Sequence, residues 1–413
     1  MSHKPVIRPD AETTKLRVVF DASASNNGVS LNSCLEPGPP MQNLLWSVIV
    51  RNRTHPITLC ADMKQAFLQI RIKEEDRDSL RFHWIKDRDP IAIETYRFTR
   101  PLFGLNQSPF LLQGTLHEHL DNEKEIYDND LIEKIRREVY VDDLISGDET
   151  VEKARELKET LIKLFGDGGF TLHKWHSNVR QVVHADPSSD DSTFTKDPIV
   201  TPKPAVAKSP ETNAPKTSNI DENSSSILGL MWDKKNDTLS VRFPESEAGD
   251  TKRNILHTLA SIYDPLSIAG PITLLGKLIY RDTCDRKLAW DEEIPHGLLV
   301  RWKQWVTNLP NEITIPRAFG LQETSITSVD IYTFADTSKN GVCATTYLLI
   351  TQADDNTCQG ILTAKCRLAK KGLTIPRLEL VAAHMAANLC ANTKWKAYKH
   401  SRFETQPAGL TAP

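Results

Sequence analysis

Residues Tyr140-Val141-Asp142-Asp143 constrain this chain more than any other stretch, because they set two adjacent acids between two short runs of strand-forming residues. Val139, Tyr140 and Val141 lead in, Leu144 and Ile145 lead out, and Gly147 with Asp148 closes the second run. Two carboxylates at such a tip do not enter an apolar core without a partner of opposite charge, since burying unpaired charge is prohibitively costly. A divalent cation is the natural partner. Mg²⁺ takes carboxylate oxygens and keeps waters or phosphates in its other positions, so the turn calls for at least one further acid from elsewhere in the chain.

Asp62 is the candidate. It ends Ile57-Thr58-Leu59-Cys60-Ala61, a short apolar run that reads as a buried strand. An isolated Asp at such a place ordinarily caps the helical turn that follows. Beside Asp142 and Asp143, the metal-binding reading takes precedence.

Four blocks stand in one order: Lys15-Leu16-Arg17-Val18-Val19-Phe20-Asp21-Ala22-Ser23, then Ala61-Asp62-Met63-Lys64-Gln65-Ala66-Phe67, then Arg100-Pro101-Leu102-Phe103-Gly104-Leu105-Asn106-Gln107-Ser108-Pro109-Phe110, then Tyr140-Val141-Asp142-Asp143. A lone Tyr-x-Asp-Asp arises by chance; the ordered set resembles a retroelement reverse transcriptase. The closest resemblance is to the BEL/Pao class of LTR retrotransposon polyproteins, carried also by Leu172-His173-Lys174-Trp175, Leu228-Gly229-Leu230-Met231-Trp232-Asp233 and Ser261-Ile262-Tyr263-Asp264-Pro265-Leu266.

The resemblance implies an α/β (α+β) fold: right-hand polymerase fingers and palm on an antiparallel sheet, a helical thumb or connection, and a partial RNase H-like domain. The divisions expected are 1–185 for fingers and palm with the front of the fingers cut short, 227–325 for primer grip and Pao-type helical connection, 326–398 for the partial RNase H-like part, and 399–413 for a tail. Missing front strands would leave sheet edges uncovered. Between 186 and 226 the chain is rich in Ser, Thr, Pro, Asp and Lys and poor in large apolar residues, so it is expected to be a disordered insertion.

The activity implied is RNA-directed DNA polymerisation, with RNA or DNA template, primer and dNTPs as partners. Asp62 and Asp142, supported by Asp143, would hold two Mg²⁺ or Mn²⁺ ions about 4 Å apart. Arg17, assisted by Lys15, would meet the triphosphate with its planar donor fork, although alone either is ordinarily a solvated strand charge. Phe67 would stand against the sugar and exclude a 2′-hydroxyl, whereas without its neighbours it reads as core. Phe103 and Gly104 would contact nucleotide and template, with Pro109 in the first turn of the next helix. Leu228, Gly229, Met231 and Trp232 would form the primer grip, or an ordinary buried strand. The other reading is a truncated or decayed retroelement product that binds nucleic acid without catalysis.

From Ile255 to Trp305 apolar residues recur at helical spacing, with Pro265 and Pro271 as breakers; Trp290, Trp302 and Trp305 are expected to pack those helices. Farther on, Val329 to Asp336 and Gly341 to Tyr347 read as strands, and Ile375-Pro376 opens a helix. In the resemblance, Asp336 and Glu379 are two of four RNase H carboxylates. The other two are missing, so no RNase H activity is expected. No retropepsin Asp-Thr/Ser-Gly motif occurs, since Asp336-Thr337-Ser338 lacks its glycine.

The net charge of -3 suits a polymerase only if basic residues gather on one face; Lys134, Arg136, Arg137, Lys365, Arg367, Lys370, Lys371 and Arg377 are the candidates for phosphate contact. The seven cysteines form no Cys-x-x-Cys pair, which argues against a zinc knuckle. Without a secretory leader, reduced thiols and an intracellular, cytoplasmic setting are expected, virus-like particles and the rest of a polyprotein included. No segment is long enough to span a bilayer, which takes about 20 apolar residues.

Overall fold

The computed structural model describes residues 1–7, 16–86, 92–183, 224–245, 249–319, 326–353 and 356–397. Lys15, most of the 186–226 insertion and the 399–413 tail lie outside the described residues.

At the front, β1 (Ser2–Ile7) pairs antiparallel with β2 (Leu16–Asp21), Ser2 opposite Asp21 and Ile7 opposite Leu16. These two strands form a sheet of their own. A hairpin of β3 (Ser25–Asn26) and β4 (Val29–Ser30) follows, then α1 (Leu31–Cys34), capped by Ser30. Next come α2 (Leu45–Asn52), β5 (Ile57–Met63), α3 (Ala66–Gln69) and the hairpin β6 (Arg81–Ile85) with β7 (Ile93–Arg97). His3, Phe20, Phe82 and Trp84 interlock their rings and tie β1 and β2 to this second hairpin.

The palm adds α4 (Ser108–Asn122), α5 (Asn129–Glu138), β8 (Val139–Tyr140), β9 (Asp143–Asp148), α6 (Val151–Asp167), β10 (Leu172–His176) and the short α7 (Arg180–Val183). Pro109 sits in the first turn of α4, where its missing N–H costs nothing. Thr150 caps α6, whose buried stripe is Ala154, Leu157, Leu161 and Leu164. The sheet order is β10-β5-β9-β8. Leu59, Ala61 and Met63 alternate onto the face covered by α4 and α6, where Leu112, Leu116 and Leu161 close the core.

The next sheet contains β11 (Ser224–Ile227), β12 (Leu230–Asp233) and β13 (Thr238–Arg242). Ser224 to Ser226, assigned by composition to the insertion, stand in β11, because each finds a ladder partner in β12. Three helices follow, α8 (Lys252–Ser261), α9 (Gly270–Asp285) and α10 (His296–Thr307), before β14 (Glu312–Pro316) returns to pair with β13. Pro271 starts α9 and does not break it. Trp302 and Trp305 stack at 4.9 Å inside this helical layer, whereas Trp290 is exposed beneath Lys252 and Arg253.

Last come β15 (Ile326–Thr337), β16 (Gly341–Gln352), β17 (Thr357–Leu368) and α11 (Ile375–Ala397). Val342 and Ala344 pack against Leu378, Ala382 and Met385 of α11. One large core joins these parts: Val48, Ile49 and Val50 of α2 meet Trp232, Leu239, Trp302, Leu348 and Leu362. Among the described residues no helix is long and apolar enough to cross a membrane.

Candidate polymerase site and its relatives

Asp62 is not a helix cap. It stands inside β5, directly opposite Asp143 of β9, and the Met63 amide donates to the Asp142 carbonyl at 2.8 Å. The register therefore brings the end of β5 against the Tyr140–Asp143 turn, although 78 residues lie between Met63 and Asp142. On its other side Asp62 pairs with His173 of β10. The Asp62 carboxylate accepts from Lys174 Nζ at 2.7 Å and lies 3.2 Å from His173 Nε2. Burial pushes its pKa up, but the hydrogen bonds and charges of His173 and Lys174 outweigh burial and leave it below the usual carboxylate value.

The turn is strained where the acids emerge. Val141 has φ 55°, a left-handed conformation that a β-branched residue rarely adopts. Gln113, buried on α4, donates to the Val141 carbonyl at 3.3 Å. Asn43 donates to the carbonyls of Arg136 and Val139, both at 2.8 Å, and so fixes the passage from α5 into β8. Beneath it, buried Glu138 receives His55 Nε2 at 2.9 Å and the Ser146 hydroxyl. Cys60 is buried nearby, and burial pushes its thiol up to about 12, so it is no nucleophile.

Phe67 is 2% exposed and meets Phe103 edge-on at 4.8 Å, so half-buried Phe103 is the outer ring of the pair. Gly104 has φ 91°, a conformation open to glycine, and its carbonyl accepts from Asn32 at 2.9 Å. Asn32 also accepts from the Asn106 amide at 3.1 Å, which knits this segment to α1. Arg17 stands in β2 opposite Val6.

The primer-grip residues divide. Leu228 and Gly229 form a turn between β11 and β12, so the run 227–232 is broken where it read as one strand. Half-buried Met231 follows in β12, whereas Trp232 is 1% exposed and donates to Asp237 at 2.9 Å, which makes it core. Asp237 in turn receives both arms of fully buried Arg317 at 2.6 Å.

The basic residues expected to meet phosphate are partly spent within the fold. Lys134 bonds the Gly147 carbonyl and Asp148, Arg136 bonds Asp121, Arg137 bonds Glu133 and Lys371 bonds Asp285. Asp336 stands next to last in β15 and Glu379 lies in the first turns of α11, both exposed. Asp336 opposes Cys343, and strand alternation sets that pair on the face away from Val342 and Ala344, which pack on α11.

The donor set at the palm is all hard oxygen, which suits Mg²⁺. Among the described residues no three His, Cys, Asp or Glu side chains already form a metal cage. An ion here would be held by two carboxylates and completed by water or phosphate oxygens, as Mg²⁺ commonly is.

This fold of mixed helix and sheet is similar to that of retroviral reverse transcriptase. Residues 251–404 match the family described as Pao retrotransposon-like RNaseH-like domain. Among solved structures, the foamy viral protease-reverse transcriptase in complex with an RNA/DNA hybrid is 14% identical with a TM-score of 0.52, covering 94% of this chain and 42% of that one. The dRH form of the same enzyme in complex with double-stranded DNA is 13% identical with a TM-score of 0.54, covering 94% of this chain and 55% of that one. The chain thus spans about half the length of these structures or less. No curated protein matches in sequence. Together the family match over residues 251–404 and the shared fold support a retroelement pol fragment.

Proposed function

We propose that this chain is the RNA-directed DNA polymerase of a BEL/Pao-type retrotransposon, adding deoxynucleotides to a primer 3′-hydroxyl on an RNA or DNA template. One observation carries the reading: Asp62 opposes Asp143 in the palm register, with Asp142 tied to the same strand end through Met63. Phosphoryl transfer asks the protein mainly for positioning and charge neutralisation, so acids held by the palm sheet and its turn suffice and no nucleophilic side chain is needed. Two Mg²⁺ or Mn²⁺ ions, held by Asp62, Asp142 and Asp143, would activate the primer hydroxyl and stabilise the leaving pyrophosphate.

The chain's own residues prepare that site. His173 and Lys174 keep Asp62 ionised, and the strained Val141, held by Gln113, orients the following acids. Phe103, backed by Phe67, presents an aromatic surface next to the backbone of Gly104, suited to a deoxyribose and its base. The solved relatives hold an RNA/DNA hybrid and double-stranded DNA, which supports a nucleic-acid duplex as partner.

The second reading is a retroelement product that binds nucleic acid without extending it, favoured by the Lys174–Asp62 ion pair, which already fills one carboxylate oxygen. Primer extension on a homopolymer RNA template, comparing the chain with Asp142→Asn, separates the two. Extension lost in the variant supports polymerisation; extension unchanged removes Asp142 from the site. Duplex binding without extension by either protein supports the second reading.

A further inference from the structure

The turn from β11 to β12 runs through Leu228 at φ 47° and Gly229 at φ 88°. Two successive left-handed residues match the twist of a tight hairpin, but leucine takes that conformation only under constraint. The constraint comes from outside the hairpin. Tyr263, just beyond α8, donates its hydroxyl to the Leu228 carbonyl at 2.7 Å. Its ring lies so near Gly229 that a Cβ there would stand 3.1 Å from a ring carbon.

Tyr263 is itself anchored. The carboxylate of the next residue, Asp264, accepts the amides of Ile268 at 2.9 Å and Ala269 at 2.8 Å, which locks this segment to the start of α9. Tyr140, in the strand that leads into the acidic turn, lies near enough to Tyr263 for the two phenols to oppose each other's ionisation. Burial, then Tyr140, pushes the Tyr263 phenol up to about 12, so it remains a hydrogen-bond donor at neutral pH. Tyr140 and Leu228 pack on the same core as Ile262 and Leu266.

We propose that Tyr263 is a positioning residue, a strut from the helical layer that holds the Leu228–Gly229 turn in register with the Tyr140–Asp143 hairpin and so sets where a primer 3′ end lies relative to the acids. The primer as ligand rests on the polymerase reading above; the strut itself rests on geometry alone. Its hydroxyl touches backbone carbonyl, so its effect on chemistry passes through the turn.

The test uses Tyr263→Phe, which removes one oxygen and keeps the ring, in the full chain. Loss of one positioning hydrogen bond is expected to lower kcat for primer extension about five- to tenfold with dNTP KM within about twofold. Leu228→Gly, which needs no clamp to take φ above zero, is combined with it; the double variant is expected to be no slower than the slower single one. Extension unchanged in Tyr263→Phe, or rate losses that simply multiply, overturns the strut. Hydrogen exchange of the peptides spanning 224–233 and 138–146 is read in parallel. If the parent chain extends no primer, the polymerase reading falls, and faster exchange in both peptides of Tyr263→Phe still supports the strut, whereas unchanged exchange overturns it.

Discussion

Arg317→Met should unfasten the palm from the parts that follow it. The guanidinium is fully buried and uses all five donors: two to Asp237 at 2.6 Å, and one each to the carbonyls of Asn52 at 2.8 Å, His55 at 2.9 Å and Pro56 at 2.9 Å. Methionine keeps the apolar stem and replaces none of these bonds. Breaking a buried pair by removing one partner costs roughly 3–5 kcal/mol. Pro56 keeps a bond from Asn178 at 2.9 Å, and Asp237, 23% exposed, keeps Trp232 and Asn178, so the expected loss is about 3 kcal/mol, the lower end of that range. Arg53 lies next to it, donating to the Arg317, Pro316, Ile361 and Leu362 carbonyls; burial first, then the Arg317 charge, brings its pKa down to about 9. Urea unfolding followed by tryptophan fluorescence and far-UV circular dichroism measures the loss. The parent should show coincident transitions, and the variant should show them separate, because the knot joins Asn52–Pro56 to β14 and β17. A loss below about 1 kcal/mol, the level of an exposed ion pair, would refute the reasoning.

Gly147→Ala should cost at least about 2 kcal/mol, since the new Cβ would clash with the Ile57 carbonyl in the strand that carries Asp62; thermal melting checks it. Val141→Gly should stay within about 1 kcal/mol of the parent, because relief of the left-handed strain offsets glycine's backbone entropy; a loss above about 2 kcal/mol counts against strain at the turn. Removing the cation in Lys174→Met should destabilise the chain more at pH 7 than at pH 3. Asp62 has a depressed folded pKa, so its contribution is present above its unfolded value of about 3.9 and is lost as pH falls through the lower folded value. A stability difference independent of pH would remove the Asp62–Lys174 pairing as its source.

Much of the site was legible in sequence because it is built from local signals. The alternation into Asp142–Asp143, the apolar run ending at Asp62 and the proline opening α4 each state a strand, a turn or a helix start within a few residues. What those signals omit is what each residue faces. Trp232 belongs to a motif that resembles a primer grip, yet its indole is 1% exposed on Asp237. His173 and Lys174 belong to a quoted motif, but their hold on Asp62 appears only when β10 pairs with β5. Tyr263 too stands in a quoted motif, but its bond to Leu228 appears only in the fold, and Gln113 carries no sequence mark at all.

The sequence by itself determined which acids stand where along the chain and marked the strand ending at Asp62, the turn at Asp142–Asp143 and the helix start at Pro109, because those follow from periodicity and turn chemistry, whereas the grouping of the acids rested on a family resemblance. Tertiary structure alone decided that β14 returns across three helices to β13, that Arg51, Arg53 and Arg317 are buried while Arg253 and Arg301 meet solvent, and that Asp62 faces Asp143 on one side and Lys174 on the other. A charged residue carries no sign of its own burial. Its cost is set by partners hundreds of residues away, and only the folded chain brings them within hydrogen-bond distance.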